Sequence, residues 1–167
     1  MAYTYSKIST VTVGSGGSSS INFIAIPQNY TDLLIFTSTR SNSATESNYY
    51  RVRFNSSTTN YSGKHLSGSG SGTSSGNFET WGNTVNSTAT ANTFENAYFY
   101  VPNYTSSNNK SVSGDNTQEN NATLSRINLI AGLWSDASAI TSVQIVLDAG
   151  NFVQYSTATL YGIKAEV

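Results

Sequence analysis

Apolar residues recur at every second position in several short stretches of this chain. Alternation of this kind runs through residues 50–54, 97–101, 127–133 and 143–147. A period of two is the period of a β-strand, whose successive side chains point to opposite faces. In residues 127–133, for example, the aliphatic side chains share one face, opposite Asn128. The pattern therefore predicts strands with one apolar face and one polar or aromatic face.

Two further apolar runs and a set of chain breakers complete this pattern. Residues 21–23 and 33–36 are more continuously apolar, as expected for strands covered on both faces. Pro27 and Pro102 close strands because proline has no N–H to donate to a ladder, and the Gly-Ser-Gly-Gly segment at 14–17 separates two strands. We predict an all-β fold, a single jelly-roll-like β-sandwich of about eight to ten strands.

The segment 67–77 is made almost entirely of Ser and Gly. Its composition is that of a flexible linker, which can mark a domain boundary. However, neither flanking part carries enough predicted strands to close a sandwich alone. We therefore interpret 67–77 as a long surface loop within one domain that covers residues 1–167.

The composition supports the strand pattern and excludes several kinds of partner. The chain has 28 Ser, 21 Thr and 19 Asn, only 10% charged residues and a formal net charge of −1. Without a cluster of cations, direct binding to nucleic acid is not expected. No apolar run approaches the roughly 18 residues of a membrane span, and the N-terminal residues have no signal-peptide pattern, so we expect no membrane partner.

Residues with catalytic or metal-binding chemistry are few and scattered. Cysteine is absent and His65 is the sole histidine, which argues against a zinc site. A Ser-His-Asp triad is formally possible, but with 28 serines none is marked out as its nucleophile. No pair of carboxylates is marked out for glycoside hydrolysis. The nine acids are Asp32, Glu46, Glu79, Glu95, Asp115, Glu119, Asp136, Asp148 and Glu166. We expect no enzymatic activity, no cofactor, and no catalytic or metal residues.

Aromatic residues are the one feature that suggests binding. Trp81, Tyr61 and Tyr104 lie beside loop-like sequence. At the tip of a sandwich such rings can stack on sugars, and Tyr and Trp are also enriched in contacts between subunits. These three residues are therefore the candidates for a ligand or interface site. The alternative is that they belong to the core.

Several short stretches form a recognisable combination along nearly the whole chain. They include Ile-Pro-Gln-Asn-Tyr-Thr-Asp-Leu-Leu and Val-Pro-Asn-Tyr-Thr-Ser-Ser-Asn. The stretches occupy residues 26–34, 39–41, 52–55, 60–62, 101–108, 119–123, 131–134, 139–142, 150–152 and 156–163. Together they resemble a family of small virion structural proteins of marine bacteriophages, notably cyanophages.

The resemblance implies a non-enzymatic structural role in the virion, on the outside of the particle. Such proteins act as capsid decorations or knobs, or within tail fibres. Because the chain has no repeated shaft segment, we favour a capsid decoration, cement or knob protein that binds the major capsid protein or other virion proteins. The alternative is a receptor-binding tail-fibre tip that recognises a host surface glycan. We expect a homo-oligomer, with a trimer favoured because capsids offer three-fold sites.

Overall fold

The computed structural model describes residues 3–45, 48–77, 81–121 and 125–165. Within these ranges the regular structure is entirely β, and no helix that could cross a membrane is found there. Twelve strands are described, namely β1 (Tyr3–Thr12), β2 (Ser20–Phe23), β3 (Asp32–Ser38), β4 (Asn48–Phe54), β5 (Tyr61–Gly68), β6 (Thr73–Asn77), β7 (Gly82–Thr84), β8 (Asn96–Val101), β9 (Lys110–Gln118), β10 (Arg126–Trp134), β11 (Val143–Leu147) and β12 (Thr157–Ala165). The predicted all-β class is confirmed, with more strands than the eight to ten expected.

The strands form two antiparallel sheets of unequal size. The large sheet has eight strands in the order β1-β12-β3-β8-β9-β10-β5-β6, and the small sheet has four in the order β2-β11-β4-β7. Side chains from both sheets meet in one buried hydrophobic cluster. This arrangement is the predicted two-sheet sandwich. The small sheet faces one side of the large sheet, and the other side is the outer face of the molecule.

The alternation predicted for the small sheet is confirmed. In β4 the side chains of Tyr50, Val52 and Phe54 are all buried, and they alternate with half-exposed neighbours. The same alternation occurs in β11. Since successive strand residues point to opposite faces, the apolar set of each strand fills the core.

Strand β10 departs from this rule. Its aliphatic residues Ile127 and Leu129 are 53% and 54% exposed, whereas Asn128 is 3% exposed. The inward Asn128 is stabilised because its amide nitrogen donates to the Asn116 side-chain oxygen at 3.2 Å. A satisfied buried amide costs little, so β10 presents part of its aliphatic face to the outside.

The Ser/Gly segment 67–77 is not the long loop that its composition predicts. Its first two residues end β5, a short turn follows, and Thr73–Asn77 forms β6. The ladder from Lys64–Asn77 to Gly68–Thr73 contains no register shift. Ladder hydrogen bonds to β5 hold this segment although its side chains contribute almost no burial.

Candidate docking surface

Five strands of the large sheet bring a single row of side chains to its outer face. Leu129 of β10 pairs with Leu66 of β5 on one side and with Asp115 of β9 on the other. Asp115 pairs in turn with Tyr98 of β8, and Tyr98 pairs with Phe36 of β3. At about 4.8 Å between strands, the row is about 19 Å long. We call these five residues the outer row.

The outer row is mostly apolar and well exposed. Leu66 and Leu129 are 53% and 54% exposed. Ile127, two residues from Leu129 on the same face of β10, is 53% exposed. The rings of Phe36 and Tyr98 follow, with centroids 6.4 Å apart. Scattered exposed apolar residues need no explanation, but a contiguous set on one sheet face is typical of an interaction surface.

Asp115 places one carboxylate in the middle of this apolar row. Its side chain makes no hydrogen bond or ion pair with the residues that the structure describes. Partial burial between its neighbours raises the pKa of the Asp115 carboxyl, because the low-dielectric surroundings disfavour the charged form. The outer row thus combines an apolar surface with a single acidic centre.

A free strand edge lies beside the outer row. Strand β6 is the last strand of the large sheet next to β5, and all five of its side chains are exposed and uncharged. The opposite edge, β1, carries Lys7 and a register shift between Lys7 and Ser9. Bulges and lysines discourage strand addition. Thr73–Asn77 has neither, and within the described part of the chain β6 pairs only with β5, so its outward backbone groups are open to a further strand.

The structure places two of the three aromatic candidates in the core. Trp81 is 1% exposed and Tyr104 is fully buried. The Tyr104 hydroxyl donates to the backbone carbonyl of Pro27. Trp81 packs against Tyr61, with ring centroids 5.4 Å apart. Neither Trp81 nor Tyr104 leaves a ring face open to a sugar, because both rings are covered by the chain itself.

Tyr61 is only partly buried. Its ring stacks on Trp134, and its hydroxyl accepts a hydrogen bond of 2.7 Å from the backbone N–H of Phe54. Burial raises the pKa of Tyr61 to about 12. Tyr61 also lines a cavity of about 290 Å³ on the side of the small sheet, together with Arg53, Thr58 and Thr59.

The titratable residues are mostly engaged in structural contacts. Asp32 accepts hydrogen bonds from the Tyr100 hydroxyl and the Asn103 backbone N–H, both at 2.8 Å. The only ion pair among the described residues joins Arg51 and Asp148, at 2.8 Å. The described residues include no group of three His, Cys, Asp or Glu that could hold a metal ion. Glu46, Glu79 and Glu166 lie outside the described residues.

Glu95 is the most deeply buried acid described. It accepts hydrogen bonds from the Thr37 hydroxyl at 2.5 Å, the Thr39 hydroxyl at 2.7 Å and the Tyr50 hydroxyl at 2.8 Å. The Thr39 backbone N–H donates to it as well, at 2.5 Å. Burial raises the pKa of Glu95, although these donors oppose the shift. With no exposed surface, Glu95 is closed off from solvent, and its hydrogen bonds all lie inside the sandwich.

Sequence reasoning missed the outer row as a site. The sequence gives no signal for it, because Asp115 and Leu129 lie in different strands and become neighbours only in the register of the folded sheet. The chain was compared with protein-family models and with curated proteins, and neither comparison finds a match.

Proposed function

We propose that the protein is a non-enzymatic structural component of a bacteriophage virion, bound to the outside of the capsid shell as a decoration, cement or knob protein. The observation that carries this proposal is the outer row, an apolar and aromatic surface on the outer face of the eight-stranded sheet. The resemblance of the chain to small phage virion proteins, which extends over nearly its whole length, supports the same role.

A sandwich of this kind is suited to permanent attachment. Its sheet face is held by antiparallel ladders on both sides of β9 and β10, so the outer row is ordered before any partner binds. A pre-ordered surface loses little conformational entropy on docking. Since the chain has no cysteine for disulfides, binding to a shell would also stabilise its fold by mass action.

The proposed partners are the major capsid protein or other virion proteins, and further copies of the chain itself. Three-fold positions on a shell favour a trimer, because symmetric sets of subunits match symmetric sites. Each contact in a trimer joins two different surfaces, so the uncharged β6 edge of one copy would contact a different surface of the next copy.

The second candidate is a receptor-binding tail-fibre tip. The observation that favours it is the cavity beside the half-buried Tyr61, which is also lined by Arg53, Thr58 and Thr59. Aromatic rings and hydrogen-bonding groups of this kind fit the sugar rings and hydroxyls of a host surface glycan.

Quantitative mass spectrometry of purified particles tests the proposal. A capsid decoration protein should be present in a copy number that matches the many symmetric positions of the shell, and a tip protein in the few copies that fibre ends allow. A cryo-EM map of the particle would then locate the chain. Purified particles that lack the protein altogether would overturn both versions of the virion role.

A further inference from the structure

Asp115 determines what kind of surface can cover the outer row. It lies between Leu129 and Tyr98 in the register of the sheet, with Leu66 and Phe36 further along the same line. Any partner that covers the two leucines would also remove water from this carboxylate. A desolvated carboxylate without a partner is strongly unfavourable.

None of the residues that the structure describes supplies a cation to Asp115. Lys64 lies two strands away on the same face, but its ammonium group donates to the Asn77 side-chain oxygen. A second copy placed face to face about a two-fold axis at Asp115 would bring two carboxylates together, which is repulsive. The outer row therefore favours a partner surface that supplies a cation at this position.

From the charge and shape of this row, we propose that it docks a protein surface of another chain type, on which one Lys or Arg side chain projects among apolar side chains and pairs with Asp115. The inference rests on the proposed virion role and names the chemistry of its partner. Arg is particularly suitable, since its guanidinium can bind a carboxylate through two parallel hydrogen bonds. The leucines and aromatic rings would surround that ion pair and exclude water from it.

Other classes of ligand fit the row less well. Leu66, Leu129 and Ile127 offer nothing that could bond to the hydroxyls of a glycan, and each is more than half exposed. An anionic lipid surface would be repelled by the central carboxylate. A protein surface with a cation among apolar side chains complements both the apolar side chains of the row and the Asp115 carboxylate.

The test is rebinding to particles. Phage particles produced without this protein would be incubated with the purified protein, and bound copies measured against concentration. Leu129→Asp and Asp115→Asn should each weaken binding by about tenfold or more, because each leaves a buried charge unpaired in the interface. Asp115→Lys should weaken it further than Asp115→Asn, since it places two cations in contact.

Two variants serve as matched controls. Ile24→Asp changes an aliphatic residue that is 80% exposed and lies outside the row, between β2 and β3. Asp148→Asn removes a partly exposed acid that pairs with Arg51 on the small sheet. Both should bind like the wild type. Leu129→Thr, which keeps a good strand former, replaces Leu129→Asp if circular dichroism shows that the latter is misfolded.

The outcomes separate this inference from the proposed function. Wild-type protein that does not bind the particles at all would overturn the virion role, and the inference with it. Wild-type binding that Leu129→Asp, Leu129→Thr and the Asp115 variants leave unchanged would overturn the docking surface alone. If Leu129→Thr lost binding while Asp115→Asn and Asp115→Lys bound as tightly as the wild type, a cationic group on the partner would be refuted.

Discussion

The hydroxyl of Tyr50 donates a hydrogen bond of 2.8 Å to Oε1 of Glu95 inside the sandwich. Tyr50 belongs to β4 of the small sheet, and Glu95 immediately precedes β8 of the large sheet. The same carboxyl oxygen accepts a hydrogen bond from Thr37 of β3. One buried acid thus joins both sheets through polar contacts, in a core that is otherwise held by apolar packing.

Removing the Tyr50 hydroxyl should destabilise the fold. In Tyr50→Phe, Glu95 loses one donor and the ring keeps its packing against Phe99. We expect the free energy of unfolding to fall by about 1–3 kcal/mol, as for other buried groups that lose a hydrogen-bond partner. Urea denaturation followed by tryptophan fluorescence would measure the change.

Tyr98→Phe is the matched control for that experiment. Tyr98 is 39% exposed on the outer face of the large sheet, so its variant should unfold within about 0.5 kcal/mol of the wild type. If Tyr50→Phe were as stable as Tyr98→Phe, the contact between Tyr50 and Glu95 would contribute nothing to the fold.

Glu95 should also give the stability a distinctive dependence on pH. Burial raises the pKa of Glu95 above its ordinary value of 4.5, so the folded state holds the proton more tightly than the unfolded state. The Glu95 contribution to the free energy of unfolding should therefore decrease as the pH rises from 4.5 through the raised pKa. Below 4.5 both states are protonated and this contribution is constant.

Comparing the wild type with Glu95→Gln isolates this effect, since the amide does not titrate. The variant should be less stable than the wild type at acidic pH, because its NH₂ group faces donors such as the Thr39 backbone N–H. The difference in the free energy of unfolding between wild type and Glu95→Gln should decrease as the pH rises above 4.5. Parallel curves of unfolding free energy against pH would rule out Glu95 as the titrating group.

A glycine on β10 provides a test of packing beneath the outer face. A Cβ atom at Gly132 would lie 2.7 Å from Cε2 of Trp81, whereas a Cβ at Gly76 would lie 3.5 Å from Cε1 of His65. Gly132→Ala should therefore cost about 1–3 kcal/mol through overpacking. Gly76→Ala, also within a strand of the large sheet, should be close to neutral. Thermal melting of both variants checks this, and equal melting temperatures would contradict the packing of Trp81 on Gly132.

The sequence predicted the small sheet better than the large one, for a physical reason. Strands β4 and β11 bury apolar residues in strict alternation, so their pattern and burial agree. In β9 and β10 the inward positions include Asn116 and Asn128, which satisfy each other. Polar pairs of this kind cannot be recognised from periodicity, because each member is acceptable inside only when the other is present.

The outer row could not be predicted from the sequence, because it exists only in one register of the large sheet. Asp115 and Leu129 are neighbours only because β9 and β10 pair in one particular register, and a shift of one residue would turn every side chain to the opposite face. The aromatic candidates were chosen by residue type and proximity to loops. That criterion did not distinguish Trp81, which is covered by the chain, from Tyr98, which is exposed.

Attachment to the particle should depend only weakly on salt. The surface of the chain is poor in charge, and the proposed ion pair at Asp115 would be enclosed by Leu129 and Tyr98, where mobile ions do not reach. Washing particles with increasing NaCl should therefore leave the protein bound, as followed by electrophoresis of the pelleted particles. Release by moderate NaCl alone would indicate attachment through exposed charges.

We expect a homotrimer, because a three-fold site on a shell is matched by three equivalent subunits. Because each contact in a trimer joins two different surfaces, the uncharged β6 edge of one copy, Thr73–Asn77, should contact a different surface of the next copy. Replacing Ser75 in the middle of β6 by proline would remove one backbone donor and block strand addition, as prolines do on natural edges. Sedimentation velocity should show a trimer for the wild type and smaller species for Ser75→Pro. Monomeric wild-type protein that is also seen singly on the particle would rule out the trimer, while the structural role would remain.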